Sequence, residues 1–476
     1  LLLESAEAPI VLLEKKNESF ESAAPGNPCL GVFLPYTPLH HLLLDSFPFP
    51  LIVTSGNVSN EPICTTSDEA FDRLSHIADS FLVHDRPIER PVDDSVVHRV
   101  AGKMQILRRA RGYAPLPIEL KREISPAIST GGHLKNTIAV SKLNKIILSQ
   151  HIGNLDTEES ARVFRSAVLD FQNLFDVSPE VSVCDRHPDY YSTQYCNESF
   201  PHANQQAIQH HLAHVFSCMA EHGLEPPVLG FSWDGTGYGD DGTIWGAETF
   251  RITSNSVQRF ATIRPFMLPG GEAAIQDATR IAISLMYEAG SKLPEVGNSK
   301  MIVELIRKGI QSPSCSSMGR LFDGVSSLLS LCDRVQYEGE AAMLLEFEAR
   351  KSTTEETYAC PFSELNDDGP LCFDWRPMIR NIIENMEAGV AAPDIARKFH
   401  NTLAGFIVEV ADHSRLSCVI LTGGCFQNKL LAELAIRKLT EAGYQSYTNQ
   451  QIPPNDGGLA VGQIYATLFP PMKNKN

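Results

Sequence analysis

The sequence predicts an α/β protein in two parts, and three observations carry that reading. Short apolar runs recur along the whole chain, separated by turn residues. Two of those runs, Ala127-Ile128-Ser129-Thr130-Gly131-Gly132 and Cys418-Val419-Ile420-Leu421-Thr422-Gly423-Gly424, end in the same glycine pair. Other stretches, residues 157–175 above all, carry apolar side chains at helical spacing.

The first part runs from residue 1 to about 120. Residues 9–13, 30–34 and 51–53 read as strands, and residues 39–44 as the start of a short helix. Pro115 and Pro117 mark a linker. The second part, residues 121–476, opens as strand, glycine turn, strand: 127–129, then Gly131-Gly132, then 137–140 and 145–149. Thr157 is placed to cap the helix that reaches Phe175, with Glu158 and Glu159 in its first turn. A strand at 181–184 follows, and residues 428–442 form a helix after the second glycine pair. Residues 291–387 vary more in composition and are expected to be an insert or lid, with a loop at 312–318 and a polar, acidic stretch at 351–369. Two halves that each begin with an apolar strand and a glycine turn resemble a duplicated ribonuclease-H-like core, as in actin and the sugar kinases. That core binds nucleotide between its halves.

Composition narrows the function. Forty Lys and Arg against 57 Asp and Glu leave a net charge of −17, which opposes broad nucleic-acid binding. From Arg86 to Arg122, however, nine basic residues face four acidic ones, a local +5. This stretch is either a solvated face or a pocket for phosphates. There is no apolar run long enough to span a membrane. None of the eleven cysteines forms a Cys-x-x-Cys pair, so neither a disulfide framework nor a zinc ribbon is predicted, and a reducing cytoplasm is the default. Residues 8–13 lack the basic flank and cleavage site of a signal peptide, and the start reads as the interior of a domain, so the chain is expected to be N-terminally truncated.

The chemistry concentrates in Gln209-His210-His211-Leu212-Ala213-His214 and in the Asp-Gly-Thr-Gly-Tyr-Gly run that starts at Asp234. On a helix, His210 and His214 share one face and can clamp a divalent metal. A lone histidine is more often a satisfied core residue; the spacing is what raises the metal reading. Gly235 and Gly237 would let backbone N–H groups approach a phosphate. Trp233 and Trp245 read as core residues, and His400, in a helical pattern, as structural.

Together the motifs resemble the hydrogenase-maturation carbamoyltransferases of the HypF type. In the first part these are Leu34-Pro35-Tyr36-Thr37-Pro38, Thr54-Ser55-Gly56-Asn57-Val58-Ser59-Asn60-Glu61-Pro62, His84-Asp85-Arg86-Pro87 and Leu107-Arg108-Arg109-Ala110-Arg111-Gly112-Tyr113. They look like the C-terminal part of a YrdC-like adenylating domain. In the second part they include Leu134-Lys135-Asn136-Thr137, Ser149-Gln150-His151-Ile152-Gly153-Asn154, the histidine run, Gly319-Arg320-Leu321-Phe322-Asp323, the run Leu421 to Asn428, and Pro454-Asn455-Asp456-Gly457-Gly458.

The resemblance implies ATP-dependent formation of carbamoyl-adenylate from carbamoyl phosphate by way of carbamate. The carbamoyl group would then pass to the C-terminal cysteine of a HypE-type partner. It implies ATP with Mg, and Zn or Fe on His210, His214 and Asp456, with Asp234 as a weaker fourth ligand. Ser55, Asn57 and Ser59 would bind phosphate or carbamate oxygens, or simply form Ser and Asn turns. Arg86, Arg108 and Arg111 would balance triphosphate charge, or be solvated. Lys135 and Asn136 would contact the phosphate or carbamoyl end after Gly131 and Gly132. Gly423, Gly424 and Asn428 would line the adenosine, and one of Asp323 and Glu338 would lie near the nucleotide. Members of the family carry further N-terminal domains that this sequence does not show. A threonylcarbamoyl transferase acting on tRNA is a rival, weakened by the acidic charge and the YrdC-like half. Small-molecule carbamoyltransferases are another, with the modules in reverse order. A fragment that only binds the partner is the non-enzymatic alternative. No membrane and no RNA partner is expected.

Overall fold

The structure, a computed structural model, describes residues 1–16, 20–59, 61–294, 298–364 and 369–472. It divides into two compact units, Leu1–Ile208 with Asn449–Leu468, and Gln209–Thr448 with the chain end from Phe469.

The first unit holds two sheets. Strands β1 (Ile10–Glu14), β2 (Cys29–Val32), β3 (Val96–Val100) and β4 (Lys103–Arg108) form one, in the order β2-β1-β3-β4. β1 runs antiparallel to β2 and parallel to β3. β3 and β4 are joined by Ala101 and Gly102, both at positive φ, the backbone a two-residue hairpin requires. Val11, Val97 and Ile106 form the core of this sheet. Residues 51–53, expected as a strand, are unpaired and exposed, with Ile52 81% accessible. An apolar run needs a strand edge beside it to become a strand, and among the described residues this one has no ladder partner.

The second sheet contains β5 (Pro117–Glu119), β6 (Ala127–Ser129), β7 (Ala139–Lys142), β8 (Lys145–Leu148), β9 (Val181–Asp185) and β10 (Asn204–Ile208), ordered β10-β9-β6-β7-β8-β5. The expected linker is therefore partly a strand: Pro117 opens edge strand β5, a position where a missing N–H does no harm. Helix Glu158–Phe175 begins as its sequence foretells. Thr157 Oγ1 accepts from the Ser160 N–H, and Ser160 Oγ accepts from the Thr157 N–H, both at 3.2 Å. It buries Phe164, Ala167, Val168 and Phe171 against Ile128, Val140 and Ile147. Helix Leu459–Ala466, buried along its length, packs on β6 to β9.

The second unit is built on β11 (Val228–Tyr238), β12 (Ile244–Thr253), β13 (Ser256–Ile263), β14 (Phe266–Met267), β15 (Ser314–Cys315), β16 (Phe362–Glu364), β17 (Leu371–Phe373), β18 (Cys418–Thr422) and β19 (Gln445–Thr448). Its main order is β16-β17-β13-β12-β11-β18-β19, with β11 to β13 antiparallel and β18 parallel to β11. The stretch 291–387 contributes to this framework. β15 and β17 pair within the sheet, and helix Met318–Leu328 is buried at every position. Trp233 and Trp245 are core residues. Among the described residues no helix is long and apolar enough to cross a membrane.

Candidate metal and nucleotide site

In the second unit, helix His210–His222 starts at Gln209, whose Oε1 accepts from the Leu212 N–H at 3.0 Å. The Gln209 Nε2 amide donates to the Tyr238 carbonyl and lies 3.1 Å from His211 Nδ1. One side chain thereby starts the helix and orients the second histidine. His210 and His214 then stand one turn apart, both fully buried.

Opposite them, β11 breaks register between Trp233 and Gly237. That bulge carries Asp234, whose Oδ2 lies 2.8 Å from His214 Nε2 and 3.9 Å from His210 Nε2. Burial pushes the Asp234 carboxyl up, but the His210 and His214 imidazoles outweigh it and hold the group well below the usual carboxylate range. A buried carboxylate that approaches two imidazoles in this way fits a divalent cation placed between them.

Glycines allow the close packing. A Cβ on Gly237 would stand 2.5 Å from His211 Cε1 and 2.8 Å from His210 Cδ2. Gly237 thus seats the strand against the rings. Gly235 does donate its N–H locally, to Asp234 Oδ1 at 2.7 Å. A Cβ on Gly424 would meet that same Oδ1 at 2.7 Å, and Gly423, at φ +94°, abuts the Trp233 carbonyl. Ser317 Oγ lies 2.6 Å from the Gly235 carbonyl and 3.1 Å from that of Asp234, while capping helix Met318–Leu328. Ser317 was not singled out from sequence, although a serine before an apolar run is an N-cap signal.

Asp323 is buried, and burial pushes its carboxyl up against the pull of Arg320, 3.0 Å away; Glu338 is exposed. Asn428 caps helix Lys429–Glu441 through Oδ1, and its Nδ2 lies 3.0 Å from His400 Nε2. His400 Nδ1 donates to the Ala396 carbonyl, and burial lowers its pKa to about 4, so the ring is neutral and Nε2 accepts.

In the first unit, Gly131 sits at φ +67°, where a Cβ would stand 2.1 Å from the Thr137 carbonyl. Asn136 Nδ2 donates to the Thr130 and Gly132 carbonyls at 2.9 and 2.5 Å. Gln463 closes the turn from the other side. Its Oε1 accepts from the Gly131 N–H at 3.1 Å and its Nε2 donates to the Gly131 carbonyl at 3.2 Å. Gln463 was missed from sequence; its signal is a lone amide in the apolar run Leu459-Ala460-Val461-Gly462-Gln463-Ile464. Asp456 opens a short 3-10 turn capped by Asn455, with Oδ2 3.6 Å from where a Gly132 Cβ would be.

Arg111 and Arg108, expected to balance triphosphate charge, also bond within the protein. Arg111 donates Nε to Asp94 at 2.8 Å, Nη1 to the Glu7 carbonyl at 3.1 Å and Nη2 to the Ala8 carbonyl at 2.6 Å, and it lies over the Tyr36 ring. Arg108 Nε donates to the Asp94 carbonyl at 2.9 Å. Arg86, Ser55 and Ser59 are exposed, and Asn57 Nδ2 donates to the Val58 carbonyl; Asn60 of that motif lies outside the described residues. A cleft between residues 62–91 and helix Glu158–Phe175, lined by Glu69, Arg90, Gln150, Arg162 and Asp170 among others, contains none of the expected site residues.

Comparison with known proteins places this geometry. Residues 230–463 match the family described as "Carbamoyltransferase, Kae1-like Domain, second subdomain", 122–221 match "HypF Kae1-like domain", and 1–110 match the Sua5/YciO/YrdC family described as "Telomere recombination". The crystal structure of full-length HypF in its phosphate- and nucleotide-bound form superposes with a TM-score of 0.92 at 38% identity, over 98% of this chain and 75% of that one. The chain belongs to the HypF carbamoyltransferase family. T. kodakarensis HypF superposes with a TM-score of 0.90 at 32% identity, over 98% of this chain and 64% of that one. The carbamoyltransferase HypF of Synechocystis sp. is 44% identical over 98% of this chain and 64% of its own length. The chain thus spans about 64% of the length of that curated HypF relative.

Proposed function

We propose that this chain bears the transferase part of an ATP-dependent carbamoyltransferase in [NiFe]-hydrogenase maturation. Carbamate, from carbamoyl phosphate, and ATP give carbamoyl-adenylate and pyrophosphate. The thiol of a HypE-type partner's C-terminal cysteine then takes the carbamoyl group, and AMP leaves. Adenylation replaces a poor leaving group by AMP, and exclusion of water protects the labile intermediate. Residues 1–120 are read as the C-terminal part of the adenylating domain and 121–476 as the transferase, a division the three family matches support.

The observation that carries the reading is the buried His210, His214 and Asp234 constellation in a chain of this family. These residues would hold Zn or Fe, with Asp456 proposed from the sequence motif as the further ligand. The ion, when bound, would polarise the carbamoyl or phosphate oxygens as a Lewis acid. Gly131, Gly132 and Lys135 would receive the phosphate end, with Asn136 and Gln463 holding the turn. Gly423 and Gly424 would face the adenosine, with Asn428 and His400 fixing the helix beside them. Mg accompanies ATP, and a reducing cytoplasm suits eleven free cysteines.

The test is AMP and pyrophosphate release from ATP with carbamoyl phosphate or carbamate, beside threonine plus bicarbonate. Carbamate-dependent AMP supports the reading. AMP formation only with threonine and bicarbonate, or with no acyl donor at all, would sink it.

A further inference from the structure

Arg320 is the third residue of helix Met318–Leu328, and its side chain is only 10% exposed. A helix start already carries partial positive charge, so a buried cation there stands against the helix dipole. The carboxylate beside it is Asp323, with 3.0 Å between Arg320 Nη2 and Asp323 Oδ2. Arg320 Nε is buried and makes no hydrogen bond among the described residues. A guanidinium offers five N–H donors in a planar fork, and a buried donor without an acceptor is costly. An oxyanion would complete this group.

The start of the helix is fastened to the strand bulge that carries Asp234. Ser317, its cap, reaches the carbonyls of Asp234 and Gly235 at 3.1 and 2.6 Å. A Cβ on Gly319 would stand 2.8 Å from Gly235 Cα. On Gly235 itself, a Cβ would meet one atom within 4 Å outside its chain neighbours, Arg320 Nη2 at 3.5 Å, among the described residues. The missing side chain thus leaves space over Gly235, directly after the candidate metal ligand Asp234, with the guanidinium at its side.

The transfer step proposed above joins two anions, the phosphate of the adenylate and the α-carboxylate of the acceptor's C-terminal cysteine. The phosphate end is already assigned to Gly131, Gly132 and Lys135. A C-terminal cysteine carries its thiol and its carboxylate through one Cα. A thiol directed at a carbamoyl group held at Asp234 therefore brings the carboxylate close by. The two oxygens of a carboxylate match the fork of an arginine. We propose that Arg320, over Gly235, binds this carboxylate and so selects an acceptor whose cysteine is the last residue. The inference deepens the acceptor reading above and rests on it.

The experiment titrates three short peptides by calorimetry into the whole chain, Arg320→Ala and Arg320→Lys. The peptides carry the acceptor's C-terminal sequence as the free acid, as the C-terminal amide, and with one glycine added after the cysteine. AMP and adenosine are titrated alongside, and melting temperature and metal content are measured on each protein. The whole chain should bind the free acid about tenfold or more tighter than the amide, the worth of a hydrogen bond to a charged group. The glycine-extended peptide should bind no better than the amide. Arg320→Ala should bind acid and amide alike with its AMP affinity unchanged, and Arg320→Lys, which keeps the charge without the fork, should restore part of the preference. The comparison of acid with amide on the whole chain needs no variant, so it decides even where Arg320→Ala does not fold. Equal binding of acid and amide by the whole chain, or a full preference kept in Arg320→Ala, would overturn the carboxylate assignment and leave the acceptor reading standing. An Arg320→Ala that loses affinity for AMP but not for adenosine would overturn it too and give the guanidinium to the phosphate. A whole chain that binds no peptide in any form would overturn both readings.

Discussion

Nε2 of His214 and Oδ2 of Asp234 lie 2.8 Å apart in a buried site, one on a helix and the other in a strand bulge. Helix spacing supplies the two imidazoles, and the bulge re-aims the carboxylate toward them. If they are ligands, each carries a share of a metal-binding free energy of about 10–16 kcal/mol for a four-ligand site. The double variant His210→Ala/His214→Ala should lose metal affinity by on the order of ten-thousand-fold. Metal analysis after dialysis checks this; full occupancy in the variant would refute the site.

Gly237 tests the same site without removing a ligand. A methyl group there would overlap His211 and His210. Gly237→Ala should cost about 1–3 kcal/mol of stability by overpacking and displace His210 enough to lower metal occupancy. A melt and metal analysis on one preparation measure both. Unchanged values would mean that the bulge yields freely and does not position the rings.

Arg111 reads from sequence as a phosphate ligand, but its guanidinium is bonded to Asp94 and to the Glu7 and Ala8 carbonyls. Arg111→Ala should therefore destabilise the first unit by about 1–3 kcal/mol, from the charge-assisted bonds it loses. Denaturant unfolding gives the number. A variant of unchanged stability but weakened ATP affinity would return Arg111 to the phosphate role.

These residues show where the sequence was legible. Local patterns announced the Thr157 cap, the Gly131 and Gly423 turns and the His210/His214 pair, because each depends on neighbours within a few positions. Residues 51–53 failed because a strand also needs an edge to pair with, which composition does not supply. The duty of Arg111 was hidden because its acceptors at Glu7 and Ala8 lie about a hundred residues away in sequence. Gln463 was hidden in the same way, since its partner Gly131 stands 332 positions earlier.

Glu346 gives the chain a pH dependence of defined sign. Its carboxylate is buried in helix Glu340–Ala349 and accepts from the Leu430 N–H at 3.2 Å, in the first turn of the helix that Asn428 caps. Burial raises its pKa from 4.5 to about 7, against the hydrogen bonds and the Arg350 and Lys429 charges that favour ionisation. Between those two values the folded chain keeps a proton that the unfolded chain has lost, so this group's contribution is fully present below pH 4.5 and lost as pH rises through about 7. The interval is worth about 3 kcal/mol. Glu346→Gln keeps an acceptor for Leu430 and cannot ionise. The stability difference between variant and wild type should therefore grow in the variant's favour from pH 4.5 to 7 and then level off. Unfolding free energies across that range decide it, and a difference that does not change with pH would mean that the Glu346 carboxyl titrates in the folded chain as it does in the unfolded one.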